Sequence, residues 1–232
     1  MSFRPAEGPA ERLERVRDRI AKTLVRAGRR AGSVRLVIVT KGVEAERIRR
    51  LIDEEPLLLG ENRVQEAIVK QRTLEEIAEV RGKIAWHLIG SLQRNKVKEV
   101  IGRFDLIHSV DSLPLAREID SAAARSGAIQ PVLLQVNLAG EKTKHGFSPE
   151  EIDAALEEAQ RLPHLGVRGV MTIPPAPRKP EDSRPYFRSL REIAVRNGLA
   201  ETSMGMSADF EVAVEEGATL VRVGRAVFGE RL

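Results

Sequence analysis

A closed (β/α)₈ barrel of the TIM type, an α/β fold, is what this sequence predicts, and three observations predict it. Eight short strand-like segments alternate with helix-like ones, the pattern of parallel βαβ units. Eight is the number of strands that closes such a barrel. Residues 10–31, ahead of the first strand, place Leu13, Val16, Ile20 and Leu24 at helical spacing. The eighth strand runs close to Leu232 with no helix of its own, so the N-terminal helix is expected to pack in its place. An open doubly wound sheet is the alternative that the same alternation allows. At 232 residues, one domain spanning 1–232 is expected, with the barrel over about 34–229.

The elements follow in order. Val34 to Lys41 is short and β-branched, a first strand, and the helix-like stretch 44–54 stops before Pro56. Leu57-Leu58-Leu59-Gly60 is the second strand, followed by a charged, periodic helix over 63–81. Ile84 to Gly90 is the third, with a basic helical stretch from Asn95, and Leu106 to Val110 the fourth, with a helix to about Ser126. Val132 to Asn137 is the fifth, after which Ser148-Pro149-Glu150-Glu151 reads as N-cap, N1 proline and acidic first turn. Val167 to Ile173 is the sixth, and a proline-rich loop over 174–185 leads to a helix ending at Asn197-Gly198. Thr202 to Ser207 is a weak seventh, Ala208 to Glu216 a short helix that Ser207 caps, and Leu220 to Gly224 the eighth.

Composition narrows the function. Hydrophobic residues at 42% and charged residues at 31% describe a soluble globular chain. The net charge of +4 is spread over 38 basic and 34 acidic residues, not clustered as a nucleic-acid footprint requires. With no cysteine, disulfide scaffolds, thiolate nucleophiles and Cys-ligated metal centres are excluded. No apolar run approaches the roughly 18 residues of a membrane span, and the N-terminal segment lacks the apolar stretch of a secretory signal. A cytoplasmic location is the expectation. No His/Asp/Glu spacing suggests a metal, and neither a P-loop, a G-x-S-x-G nor a G-x-G-x-x-G fingerprint is present.

Barrel sites lie at the C-terminal ends of strands. Lys41 ends the first strand on the face of Val37 and Val39. Inside a barrel mouth, desolvation favours a lysine's neutral amine, the form that adds to a carbonyl; a lysine snorkelling to the rim is the plainer reading. Ser207 precedes a helix, and Gly224-Arg225 follows the eighth strand, the usual phosphate position of barrels. Together with Lys41 they point to a phosphorylated aldehyde. Arg222 shares a face with Leu220 and Gly224; inside the barrel it would keep a pyridine nitrogen unprotonated, or else pair with a carboxylate at the barrel base. His87 is a base or a hydrogen-bonded core residue, and His145 sits in what reads as a solvated basic turn.

Eight motifs occur in register from about residue 34 to 229. They are Val39-Thr40-Lys41, Gly60-Glu61-Asn62-Arg63-Val64-Gln65-Glu66, Trp86 to Lys96, Gln135-Val136-Asn137, Lys144-His145-Gly146, Arg168-Gly169-Val170-Met171, Ser203 to Asp209 and Val221 to Gly229. In these the sequence resembles the pyridoxal 5′-phosphate homeostasis protein family, single-barrel relatives of the alanine racemase N-terminal domain with the fold type III architecture. The resemblance implies that Lys41 holds the cofactor as a Schiff base, that Ser207, Gly224 and Arg225 take the phosphate, that Arg222 meets the pyridine nitrogen and that Asn62 lines the ring pocket. It also implies a regulatory protein that binds the cofactor and hands it on, with apo PLP-dependent enzymes as partners and no robust reaction of its own. Where the family often has Thr or Ser, this chain has Arg225, which removes a hydroxyl and leaves the backbone N–H.

A racemase of this fold needs an acid–base group on each face of the substrate carbon. Lysine supplies one; in the racemases a tyrosine on a second domain, reached across a dimer, supplies the other. Tyr186, the only tyrosine here, ends the proline-rich loop, and this chain has no length for a second domain, so a monomer is expected. The alternatives are a PLP-dependent racemase or lyase with His87 or a water as second base, and a cofactor-free Schiff-base aldolase.

Overall fold

The computed structural model describes residues 7–52, 56–77, 82–141 and 144–229. It closes as an eight-stranded parallel barrel in sequence order: β1 (Arg35–Val39), β2 (Leu57–Glu61), β3 (Ile84–Leu88), β4 (Leu106–Val110), β5 (Gln130–Val136), β6 (Leu165–Thr172), β7 (Glu201–Ser203) and β8 (Leu220–Val223). The β1–β8 pairing that closes it runs Arg35↔Leu220 through Ile38↔Val223. Both faces of each strand are covered, hence the near-continuous apolar runs. Val37, Ile89, Leu106, Leu133, Met171 and Leu220 fill the inside, while Ile38, Leu59, Leu88, Ile107, Leu134 and Val221 pack outward against the helices.

The helices are α1 (Pro9–Arg26), α2 (Ala45–Arg49), α3 (Val64–Glu75), α4 (Val97–Val100), α5 (Leu113–Arg125), α6 (Ile152–Gln160), α7 (Arg184–Arg196), α8 (Phe210–Glu215) and α9 (Arg225–Phe228). Helix α1 buries Leu13, Val16, Ile20 and Leu24 and packs against α8 and α9, where Arg19 bonds both carboxylate oxygens of Glu211 and Arg26 pairs with Glu215. It therefore covers the wall beside β8, as expected.

Several local features differ from the expectation. Strand eight does carry a helix, the single turn α9. The turn at Ser148 forms reciprocal bonds with Glu151, yet regular helix starts only at Ile152. Ser207 does not cap α8: Asp209 holds the N-cap position without a side-chain capping bond, and its carboxylate reaches back to accept the Met206 N–H at 2.7 Å, bracing the turn ahead of the helix. The expected helices over 44–54 and 63–81 are shorter within the described residues, and their ends at 53–54 and 78–81 lie outside them.

Gly169 on β6 pairs with Glu201 on β7, and a Cβ there would sit 1.9 Å from the Glu201 carbonyl oxygen. That contact is backbone and cannot swing aside. Gly169→Ala is expected to cost about 1–3 kcal/mol as an overpacking change, and at about 2–4 °C per kcal/mol for a chain of this size calorimetry should record a Tm lower by several degrees. An unchanged Tm would show that β7 shifts freely.

Candidate functional site

Lys41 lies two residues beyond the end of β1, on the side of Val37 and Val39, lines the cavity with Val39 and is half-buried. The residues either side of it are held from outside the barrel. Lys70 on α3, almost fully buried, donates from Nζ to the Thr40 carbonyl at 2.6 Å, to Glu61 Oε1 at 2.6 Å and to Glu66 Oε1 at 2.7 Å. Glu66 Oε1 also accepts the Gly42 N–H at 2.5 Å, and Thr40 Oγ1 donates to Glu61 Oε1 at 2.6 Å. One ammonium and two carboxylates thus pin the backbone before and after Lys41. Burial raises the Glu61 carboxyl above the usual carboxylate range, opposed by its bonds from Lys70 and Thr40.

The facing wall comes from β8 and the loop after β7. Lys41, Ser207, Arg222, Gly224 and Arg225 line one cavity of about 710 Å³ at the C-terminal mouth of the barrel, with Arg12 of α1 and Arg47 of α2 on its rim. Ser207 Oγ accepts the Ala226 N–H at 3.3 Å, which draws the β7 and β8 loops together. Gly224 is required by a close approach, though to the protein itself: a Cβ there would lie 3.0 Å from the Val39 carbonyl and 3.1 Å from its Cβ.

Arg222 points into the barrel and is 4% exposed. Among the described residues no carboxylate bonds it: Nη1 donates to Ser203 Oγ at 2.5 Å and Nη2 to the Thr172 carbonyl at 2.9 Å. Burial draws its pKa down to about 10, against the attraction of Asp209. Ser203 Oγ lies 2.8 Å from His108 Nδ1, and His108 Nε2 lies 3.0 Å from His87 Nδ1. Burial, assisted by the charge of Arg35, lowers His87 to about 4. His108, fully buried beside His87, Arg222 and Arg35, falls well below the ordinary imidazole value.

Other sequence candidates lie apart. His87 is buried within the barrel and is not among the cavity-lining residues. Asn62 is on the turn after β2, its backbone against Gly90, and is likewise not in the cavity lining; its Oδ1 is buried with no hydrogen-bond partner. Tyr186 is on α7, outside the lining. His145 is 71% exposed, with Nδ1 3.5 Å from Asp111. Sequence reasoning missed Lys70, Glu61, Thr172, His108 and Ser203 as working parts. For His108 a signal existed, since it shares the inward face of β4 with Leu106.

Residues 14–232 match the family described as "Alanine racemase, N-terminal domain". Among curated relatives, a pyridoxal phosphate homeostasis protein of Aquifex aeolicus is 46% identical over 227 residues, covering 95% of this chain and 97% of its own. One from Pseudomonas aeruginosa is 38% identical over 226 residues, covering 96% and 95%. Among solved structures, that of PipY from Synechococcus elongatus with PLP bound has a TM-score of 0.76 at 36% identity, covering 90% of this chain and all of that one. The chain belongs to the alanine racemase N-terminal domain family and, within it, to the pyridoxal phosphate homeostasis proteins. An alanine racemase of Clostridium difficile, 18% identical at a TM-score of 0.70, shares the fold, with this chain spanning 56% of it.

The buried histidines set a pH dependence of stability. With folded pKa values below the ordinary 6.5, the unfolded chain binds protons that the folded chain does not, so stability is lost as pH falls below about 6.5, continuing to about 4 for His87. A gap from 6.5 to about 4 corresponds to about 3 kcal/mol over the whole window. Urea unfolding at about pH 7 and about pH 5 should show the acid loss, and His87→Asn should flatten it. Equal slopes for His87→Asn and wild type would place the histidine's proton exchange elsewhere.

Proposed function

We propose that the protein binds pyridoxal 5′-phosphate in the barrel mouth and serves intracellular homeostasis of that cofactor, without robust catalysis of its own. One observation carries this reading: a single cavity gathers an inward lysine, a buried arginine and the β7–β8 phosphate wall. The residues fit the group. A phosphorylated pyridine aldehyde has an electrophilic carbon, a ring nitrogen and a dianion, and the cavity offers an amine, a guanidinium and a set of N–H and O–H donors to match. The naming of the Aquifex and Pseudomonas relatives, and the PLP bound to PipY, support the same ligand.

When bound, pyridoxal phosphate supplies an aldehyde carbon for amines and an electron-withdrawing ring. On the protein side, the Lys41 amine is the nucleophile, presented inward by the clamp at Thr40 and Gly42. Ser207 Oγ, Gly224 and Arg225 would hold the phosphate. Arg222 would face the ring nitrogen as a donor, which would keep that nitrogen unprotonated and limit the ring's capacity to absorb a carbanion's electrons. Asn62 is the remaining candidate for the ring's surroundings: its Oδ1 is buried with no hydrogen-bond partner, although the residue is not in the cavity lining. Transfer to apo PLP-dependent enzymes, a cytoplasmic location and a monomeric state complete the reading.

The test is covalent. Borohydride treatment of loaded protein should place a pyridoxyl mass on the peptide containing Lys41. Label on another lysine, with none at Lys41, overturns the assignment, and a visible absorbance band from the purified protein separates the cofactor readings from a cofactor-free aldolase.

For the phosphate wall, Ser207→Ala removes a hydrogen bond to a dianion, worth about 1.5–3 kcal/mol. Affinity for pyridoxal phosphate should fall about one to two orders of magnitude, while pyridoxal, lacking the phosphate, binds almost as before. Equal losses for the two ligands in a calorimetric titration would count against a phosphate role.

Catalysis is addressed by deuterium exchange at Cα of L- and D-amino acids, with Lys41→Ala as the blank. Exchange should stay below about 1 s⁻¹, the low end of ordinary turnover. Faster exchange that depends on Lys41 favours the racemase or lyase reading.

A further inference from the structure

Three buried side chains beneath the cavity, His87, His108 and Ser203, have no part in holding a ligand directly, yet they are joined in line to one that does. They are 3%, 0% and 0% exposed. The chemistry of the groups fixes the direction of the line. A guanidinium only donates, so Ser203 Oγ accepts from Arg222 Nη1 at 2.5 Å. The serine's own proton then needs an acceptor, and the one that the hydrogen bonds of the described residues offer is His108 Nδ1 at 2.8 Å. His108 Nδ1 is therefore bare and its proton sits on Nε2, 3.0 Å from His87 Nδ1. His87 accepts there and carries its own proton on Nε2.

The opposite direction would put the imidazole proton against an oxygen already facing a cation. It would also strand the serine proton in a fully buried place, an unsatisfied donor of the kind that native structures rarely keep. A charged imidazole is no better, because the charges facing His108 are Arg222 and Arg35, both positive. The line is one-way and neutral from end to end.

We propose that His87, His108 and Ser203 are positioning residues for Arg222, a one-way hydrogen-bond chain that fixes the guanidinium plane beneath the ring-nitrogen end of bound pyridoxal 5′-phosphate. The ligand in this statement rests on the binding reading; the polarity of the chain does not. The second anchor is the Thr172 carbonyl, 2.9 Å from Nη2. Two bonds on two different nitrogens of a rigid planar fork define its plane, and its remaining donors are left for the cavity that Arg222 lines.

The first arm of the test uses wild-type protein without cofactor, labelled with ¹⁵N at histidine. Long-range ¹H–¹⁵N spectra, assigned with His87→Asn and His108→Asn, should show both rings neutral with the proton on Nε2. Neither should reach a titration midpoint between about pH 5 and about pH 9, a window spanning the ordinary imidazole range. A proton on His108 Nδ1, or a midpoint inside that window, overturns the chain. The second arm uses loaded protein. Ser203→Ala should move the visible absorption maximum and weaken binding about 2- to 10-fold, the loss of one ordinary hydrogen bond, while Ser203→Thr, which keeps the hydroxyl, should restore both. Spectra and affinities of Ser203→Ala that superimpose on wild type overturn the positioning role; should that variant not fold, His108→Asn carries the same comparison. If wild type takes up no pyridoxal phosphate, the binding reading fails and the positioning role with it, and the histidine spectra still decide the chain.

Discussion

The seam between β1 and β8 is the contact on which the site depends. Unrolled in the same strand order, these strands would be the two edges of the sheet, with Lys41 and Arg222 far apart. Closure pairs Val37 with Arg222 and Ile38 with Val223, which brings the end of β1 alongside Gly224 and Arg225. The seam is tight because Gly224 lacks a side chain where Val39 comes closest. From outside, Lys70 holds the carbonyl of Thr40, so the end of β1 cannot slide without breaking a hydrogen bond from a nearly fully buried ammonium. The barrel is thus more than a platform for the site: the strand pairing that completes it also assembles the cavity.

Electrostatics inside the barrel follow from what lies next to Arg222. A buried cation is expensive unless it is paired and hydrogen-bonded, and proteins usually meet that need with a carboxylate. Here a hydroxyl and a carbonyl oxygen do it, and the next polar groups along the interior are imidazoles that burial keeps neutral. Dipoles orient the guanidinium without neutralising it. Its charge is left directed toward the cavity, the side on which an acceptor from a ligand would arrive. The contrast with Lys70 is instructive: that buried cation sits between Glu61 and Glu66, and its work is to fix backbone.

Most of the fold was legible because burial on both faces writes each strand as an apolar run, and all eight runs fall on strands within a few residues. The ends were less legible. Ser207 has the residue type and position of an N-cap, but a turn braced by the Asp209 carboxylate on the Met206 N–H intervenes, and the helix starts only after Asp209. The four-residue helix after β8 carries no periodicity to read. In the site, Lys41, Ser207, Arg222, Gly224 and Arg225 were found by scanning strand ends, and they do share one cavity. What escaped was everything acting through a neighbour. Lys70 reads in sequence as one more charge on a solvated helix, and its burial depends on β1 and β2 packing against α3. Ser203 and His108 are 95 positions apart, so only closure of the barrel makes them partners.

The same arrangement bears on why such a site would hold a cofactor and do little with it. Moving a proton at a substrate carbon takes a group on each face and a ring that accepts electrons. Among the described residues lining the cavity, the cationic groups are Lys41 and four arginines, and a guanidinium stays protonated. The one carboxylate, Glu7, is in an ion pair with Arg15. His87 is kept neutral by burial, but its Nδ1 faces His108 inside the barrel. In the proposed placement, a donor-only guanidinium facing the ring nitrogen would further weaken the electron sink. What these groups would do well is attract and orient a dianionic aldehyde: positive charge on the rim from Arg12 and Arg47 favours the approach of such an anion, and Lys41 offers an amine within the same cavity. Retention and release, rather than turnover, are the tasks this distribution of charge supports.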